Sequence, residues 1–507
     1  MFYNFKFHDK ARPGPHPRQE PQYRVPLTTE NLKDIFSSCD DLQHRTAAVG
    51  GTAARQVQLL WLDGMVSGGE VAENILRPLT DPLRFGQVET AKACLELVLR
   101  GGIYSGAAQL RETADDAAAD LLNGCCLVIF DRERRCISFE VRSTQRRGVD
   151  QPTIEKAVKG ARDAFVETLR INTSLVRRKL RCPELRIQQT TVGRKSRTSV
   201  ALLFLDGVAE PALVEETRKR LDQIDIDGLV AAGSLEEYLI DQPASPFPQL
   251  IHTERPDRFA LDLLQGRVGI LVDGLPIGFL LPATLGSFLR VGEDNALHWS
   301  VASGITLLRC FSLVLALLVP AIYVAGAMYH QEMIPLRLLQ SVIRSKQEVP
   351  FSTAVEVVSM LVAFELLQEA GLRLPDPVGQ TVSIIVALIV GQSAVEASVI
   401  SPIAVIIVAL AGICVLIQPS QDMGAALRLW RFLLVLAAIL AGMVGVFAGI
   451  VILVYHLSCL ESFGRSYLSP LDEGRLWPVL RNICRPPLQK QKFRPEELHT
   501  PDKRNQR

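Results

Sequence analysis

The sequence predicts an α/β protein joined to an α-helical membrane domain: two tandem duplicated α/β subdomains, then a multi-span transmembrane helical region. Three observations carry this. Short landmarks recur at a constant separation before residue 300, long uncharged runs come after it, and the mean hydropathy of +0.19 is high for a soluble chain. The 55 Lys+Arg against 54 Asp+Glu leave almost no net charge, which argues against a nucleic-acid partner because phosphate binding needs a basic face.

Residues 1–26 are rich in Pro and charge and contain no apolar run of signal-peptide length, so a disordered, uncleaved tail is expected, with nothing to export the residues after it. Residues 27–150 and 183–300 are read as α/β subdomains, because charged helical stretches alternate there with apolar runs such as VQLLWLDG and SVALLFLDG. WLDG at Trp61 to Gly64 returns as FLDG at Phe204 to Gly207, and DLLNG at Asp120 to Gly124 returns as DLLQG at Asp262 to Gly266. The offset is about 142 residues each time, the mark of an internal duplication. In each copy a Gly at the helix end should feed a β-hairpin, the second turning at Asp273-Gly274.

Residues 151–182 are expected to be a connecting helix, with Ile154, Val158, Ala161, Phe165, Leu169, Val176 and Leu180 as its apolar stripe and the arginines on the other, solvated face. The Asp-Gly pairs are read as turns, since no phosphate-binding glycine motif lies near them. The ten cysteines show no C-x-x-C pair and the eight histidines no metal spacing, so neither a disulfide framework, a metal site nor a cofactor is expected.

The membrane region is placed at 301–460, with spans near 310–329, 378–395, 397–417 and 432–455. Residues 351–372, interrupted by Glu356 and Glu365, are expected to be amphipathic, re-entrant or a polar-faced span, which leaves four or six crossings. The basic tail 461–507 should face the cytoplasm, as should the unexported N-terminal half. Ala437, Ala441, Gly445 and Gly449 form a small-residue ladder expected to be an assembly face, so membrane lipid and a homo-oligomer are the expected surroundings. Carboxylates at membrane depth seldom face lipid, which makes Glu365 and Glu369, at i and i+4, candidates for stacked acidic rings. Glu396, Gln392 and Glu356 are the other candidates for an ion path.

Several segments carry a family resemblance. PTIEKAVKGARDAFVETLRINTSLVRRKLR at Pro152 to Arg181, SPFP at Ser245 to Pro248, TERPDR with Glu254, Arg255, Pro256 and Asp257, and HQEMIP with His330, Gln331, Glu332 and Pro335 are similar to segments of the GerA family. FELLQEAGLRLPDPVGQTVSI, GQSAVEASVISP and SFGRSYLSP extend the likeness over about residues 27–470. The resemblance implies the A subunit of a spore germinant receptor, or its stage V sporulation AF paralogue, in the spore inner membrane. It further implies an oligomeric, non-enzymatic channel releasing cations, acting with a transporter-like B subunit and a lipoprotein C subunit. A non-conducting scaffold, with Glu356, Glu365 and Glu396 capping helices or pairing with Arg373, and a secondary transporter are the alternatives.

Overall fold

The computed structural model describes residues 23–51, 55–86, 88, 90–103, 107–142, 152, 155, 160–373, 391–471 and 484–506. The chain folds as two compact units, Met1–Val149 with Thr168–Gln189, and Asp150–Glu167 with Thr190–Arg507.

In the first unit, β1 (Leu42–Ala48), β2 (Gln56–Leu62), β3 (Ala108–Arg111), β4 (Cys125–Phe130) and β5 (Arg135–Glu140) form one sheet in the order β1-β2-β4-β5-β3. Its apolar runs are explained by two cores rather than one. Side chains alternate across a strand, so Leu59, Cys126, Val128 and Ile137 enter one buried cluster while Leu60, Leu127, Ile129 and Cys136 enter another. Helix α1 (Ala114–Leu122) covers the second face through Ala117, Ala118 and Leu121. Burial pushes the Cys136 thiol up to about 12 and Cys94 to about 11, which suits packing residues and not nucleophiles.

Helix α2, Leu169–Lys179, is what the structure shows of the connecting helix expected over 151–182. Residues 161–168 are non-helical, and Phe165 N–H donates to the Glu254 carbonyl at 2.7 Å instead of closing a helical turn. The expected solvated arginine face is also corrected: Arg177 is fully buried and makes a bidentate pair with Asp41 at 3.0 and 2.9 Å.

The second sheet, of β6 (Leu185–Val192), β7 (Thr198–Leu205), β8 (Ile251–Thr253), β9 (Val268–Val272) and β10 (Gly278–Leu281), takes the order β6-β7-β9-β10-β8. This is the strand order of the first sheet, element for element, as a duplication requires. Helix α3 (Pro256–Gln265) ends on Gly266 in the left-handed region, φ 105°, and β9 turns into β10.

A helical bundle completes the second unit: α4 (Trp299–Met328), α5 (Leu336–Lys346), α6 (Thr353–Arg373), α7 (Pro402–Leu416) and α8 (Gln421–Cys459). Two of them, α4 and α8, are long and apolar enough to cross a membrane. Their directions are set by side-chain contacts. Helix α4 starts beside the second sheet's module, where Arg309 pairs with Asp294 at 2.6 Å. Gln418, just past α7, donates to the Arg309 carbonyl and to Ser312 Oγ at 3.1 and 3.0 Å, while Cys414 packs against Ala316, so α7 runs antiparallel to α4. Glu356 near the start of α6 meets Ser401 at the start of α7, and Phe364 lies against Gly412, so α6 and α7 run parallel. Residues 391–396 are helical, while 378–390 of the expected 378–395 span lie outside the described residues.

The run expected to form one span at 432–455 is instead a helical hairpin. At Ala441 (φ −138°, ψ 18°) and Gly442 (φ 58°, ψ −137°) the backbone leaves the helical region. His456 and Trp430 then stack with ring centroids 5.6 Å apart, whereas in a straight helix they would be about 39 Å apart. The arms, 421–440 and 443–459, are about 30 and 25 Å long. Only glycine adopts the Gly442 conformation without strain, and a single Gly inside an apolar run gives no periodicity signal of a reversal.

Candidate functional site

Three clusters organise the bundle. The first joins the second α/β module to the open end of the hairpin. Phe247 of the SPFP loop is buried, with its ring centroid 6.3 Å from Trp430 on the first arm and 6.0 Å from His456 on the second. Ser245 Oγ lies 2.9 Å from His456 Nε2, and Gln242 donates to the Cys459 carbonyl at 2.8 Å. His252 on β8 lies 3.2 Å from Asp422 in the first turn of α8 and 3.4 Å from Glu236. Burial alone would lower the His252 pKa, but its hydrogen bond to Asp422 and the nearby Glu236 carboxylate raise it to about 9, so the ring is cationic at neutral pH. Both arms are thereby clasped at one end by one loop and one strand.

The second cluster lies within the bundle. Arg431, fully buried on the first arm, donates from Nη2 to Glu365 Oε1 at 2.7 Å, and Arg428 lies 3.4 Å from Glu365 Oε2 while donating to Gln368 at 2.6 Å. The Nε and Nη1 of Arg431 have no acceptor among the described residues. Glu365 is thus held between two guanidinium groups, and Glu369, one turn on, is exposed. The Arg373 side chain lies outside the described residues. Sequence reasoning passed over Arg428 and Arg431 because they precede the uncharged run. Their i, i+3 spacing was the available signal.

The third cluster sits at the opposite end. Glu356, 1% exposed, accepts from Ser401 N–H at 3.0 Å and Ser401 Oγ–H at 2.6 Å, and Lys346 Nζ lies 3.2 Å from its other oxygen. The carboxylate therefore extends the N-cap of α7, where the helix dipole favours negative charge. Glu396 and Gln392 are exposed and lie in neither cluster. Tyr329 closes this end, donating to the Ile439 carbonyl at 2.6 Å and packing on Gly442.

The small-residue ladder lies inside the hairpin. A Cβ on Gly445 would collide with the Ala437 carbonyl and one on Gly449 would come 2.6 Å from Leu434, so the close approach expected with another chain is made between the two arms; Ala441 is exposed at the turn. The TERPDR residues are structural. Arg255, 2% exposed, pairs with Asp257 at 2.6 Å, Pro256 opens α3, and Glu254 supplies the carbonyl bonded by Phe165. In HQEMIP, His330 lies 3.9 Å from Glu332, Gln331 donates to the Ala327 carbonyl, and Pro335 precedes α5. Among the described residues no group of three His, Cys, Asp or Glu side chains could hold a metal. A cavity of about 370 Å³ beside α3 and the start of α4 is lined by Arg258, Arg267 and Arg485 together with Asp262 and Asp294, of which Arg267 and Asp262 pair directly.

The second α/β module is clasped to an apolar helical bundle whose buried charges are paired within it. The family described as the Bacillus/Clostridium GerA spore germination protein matches residues 30–497. Spore germination protein KA of Bacillus subtilis (strain 168) is 33% identical over 475 residues, covering 94% of this chain and 86% of its own. Spore germination protein GerQA of Bacillus cereus is 36% identical over 398 residues, covering 76% and 80%. The crystal structure of the N-terminal domain of the A subunit of the Bacillus megaterium spore germinant receptor GerK3 aligns with a TM-score of 0.41 and 28% identity, over 50% of this chain and 93% of that one. The chain belongs to the GerA family of spore germination proteins, the family of germinant-receptor A subunits.

Proposed function

We propose that the chain is the membrane subunit of a spore germinant receptor, assembling into an oligomeric channel that releases cations when a nutrient is sensed. Helices α4, α6, α7 and each arm of α8 cross the spore inner membrane in this reading, together with the span expected from the sequence over 378–395, which keeps the number of crossings even. The observation that carries it is the path of the chain: α4 departs from the module's side and the second arm of α8 returns to it, next to Gln242 and Ser245. The module and the basic tail then share the cytoplasmic, core-side face. A transporter-like B subunit and a lipoprotein C subunit are the expected partners. The subunit makes and breaks no bond. The clasp at Phe247 gives a route by which a movement of the module reaches both arms at once.

A second reading, a non-conducting scaffold, is favoured by the pairing of Glu365 with Arg431 and of Glu356 with Lys346, which spends these carboxylates on the fold. Recording from the purified full-length oligomer in planar bilayers, alone and with its partner subunits, separates the two. Discrete cation-selective currents support the channel; a folded oligomer that stays silent with its partners and germinant present supports the scaffold.

A further inference from the structure

Helix α5 has a face that the Glu356 cluster at its end of the bundle does not use. At 100° per residue, Leu336, Leu338, Leu339, Val342 and Ile343 fall in one arc of about 160°, while Arg337 and Arg344, seven residues apart, lie about 20° from each other on the far side. The middle of the apolar arc is turned to the bundle, where Val342 is buried. Both edges are open: Leu336 is 70% and Ile343 48% exposed on one, and Leu338 53% on the other. The flanking Met333 and Phe351 are exposed too, as are Leu440 and Val444 beside the hairpin turn, so an apolar belt surrounds this end. Lys346 is engaged by Glu356, but among the described residues neither Arg337 nor Arg344 has a side-chain hydrogen-bond or ion-pair partner. A helix with a lateral apolar edge, free guanidinium groups on its opposite face and a position at the end of an apolar bundle has the build of a helix lying at a membrane surface.

We propose that α5 is an in-plane interfacial helix whose Leu336–Ile343 edge enters the acyl boundary of the leaflet opposite the α/β module, while Arg337 and Arg344 bind the phosphate groups of anionic lipids. Lipid is favoured over a protein partner by charge complementarity, because two unpaired arginines on one face match a sheet of phosphates. It is favoured also by continuity with the exposed apolar flank of α4 and α8, which the bilayer covers in the same reading. The inference rests on the membrane reading of the bundle. It adds a lipid-specific contact that ties the α4–α6 connection, and through Lys346 the Glu356 cluster, to the composition of one leaflet.

The test uses the full chain carrying p-benzoylphenylalanine at position 336, or at Phe311 on α4 as a control, in nanodiscs of phosphatidylcholine and phosphatidylglycerol. After photolysis, mass spectrometry reads the adducts. Lipid adducts are expected at both positions, with those at 336 enriched in phosphatidylglycerol at least about fivefold over its share. In Arg337→Gln/Arg344→Gln the adducts at 336 should persist and the enrichment should vanish. Lipid adducts at 311 with only protein adducts, or none, at 336 overturn the proposal alone. Absence of lipid adducts at both positions overturns the membrane reading with it, and enrichment unchanged in the double variant overturns the role of the arginines.

Discussion

Replacing Glu365 by Gln removes the carboxylate that pairs with the fully buried Arg431, whose Nε and Nη1 already lack acceptors among the described residues. Breaking a buried pair from one side costs about 3–5 kcal/mol, and since Glu365 is 27% exposed the lower end, about 3 kcal/mol, is expected. Arg431→Met should cost less, about 1–2 kcal/mol, because Arg428 remains 3.4 Å from Glu365 and the methionine fills the same space. In the double variant Arg428 keeps its bond to Gln368, and the total should stay near that of Arg431→Met alone. The coupling energy is therefore about 3 kcal/mol. Unfolding of the full chain in detergent micelles, followed by tryptophan fluorescence or circular dichroism against denaturant, measures all four corners of the cycle. Additive effects, or a Glu365→Gln variant as stable as the parent, would refute the structural role and return Glu365 to the ion path.

The geometry leads to three further outcomes. The folded pKa of His252, about 9, is above its unfolded value of 6.5, so its contribution of up to about 3 kcal/mol is complete below pH 6.5 and lost as pH rises through about 9. The unfolding midpoint should fall over that window in the parent and stay flatter in His252→Asn. Phe247→Ala should cost about 3–4 kcal/mol and expose Trp430, read as a red-shifted emission; unchanged emission would contradict the clasp. Gly442→Ala forces a Cβ to 3.1 Å from Tyr329 at a positive φ and should cost about 1–3 kcal/mol, whereas Ala441→Gly, exposed at the same turn, should change stability little in the same titration.

The α/β half was legible because its signals are local and repeated. The DLLNG and DLLQG helix ends both stop where predicted, and the strands after each of them pair as hairpins. Arg177 was not legible: its partner Asp41 is far away in sequence, and a helical stripe read through residues 152–181 placed all the arginines outside. In the bundle, apolar runs marked where helices lie but not how they turn. The Ala437 to Gly449 ladder carries the same pattern whether small residues meet another chain or the other arm, and only the left-handed φ of Gly442 decides between them. The glutamates were found, but the arginines and the lysine that hold two of them come from other helices, and such pairings leave no spacing to read.

The path of the chain through the bundle is tested most directly by the sidedness of its ends and turns. Peptide tags inserted in the full-length protein within the turn at 194–197, after Gln347, and after Arg507 can be probed with antibody before and after permeabilisation of intact cells. The account predicts that the tag after Gln347 is reached without permeabilisation and the other two only after it. A tag after Gln347 found on the same side as the α/β module would contradict the crossing of α4 away from the module, and with it the proposal that the bundle spans the membrane.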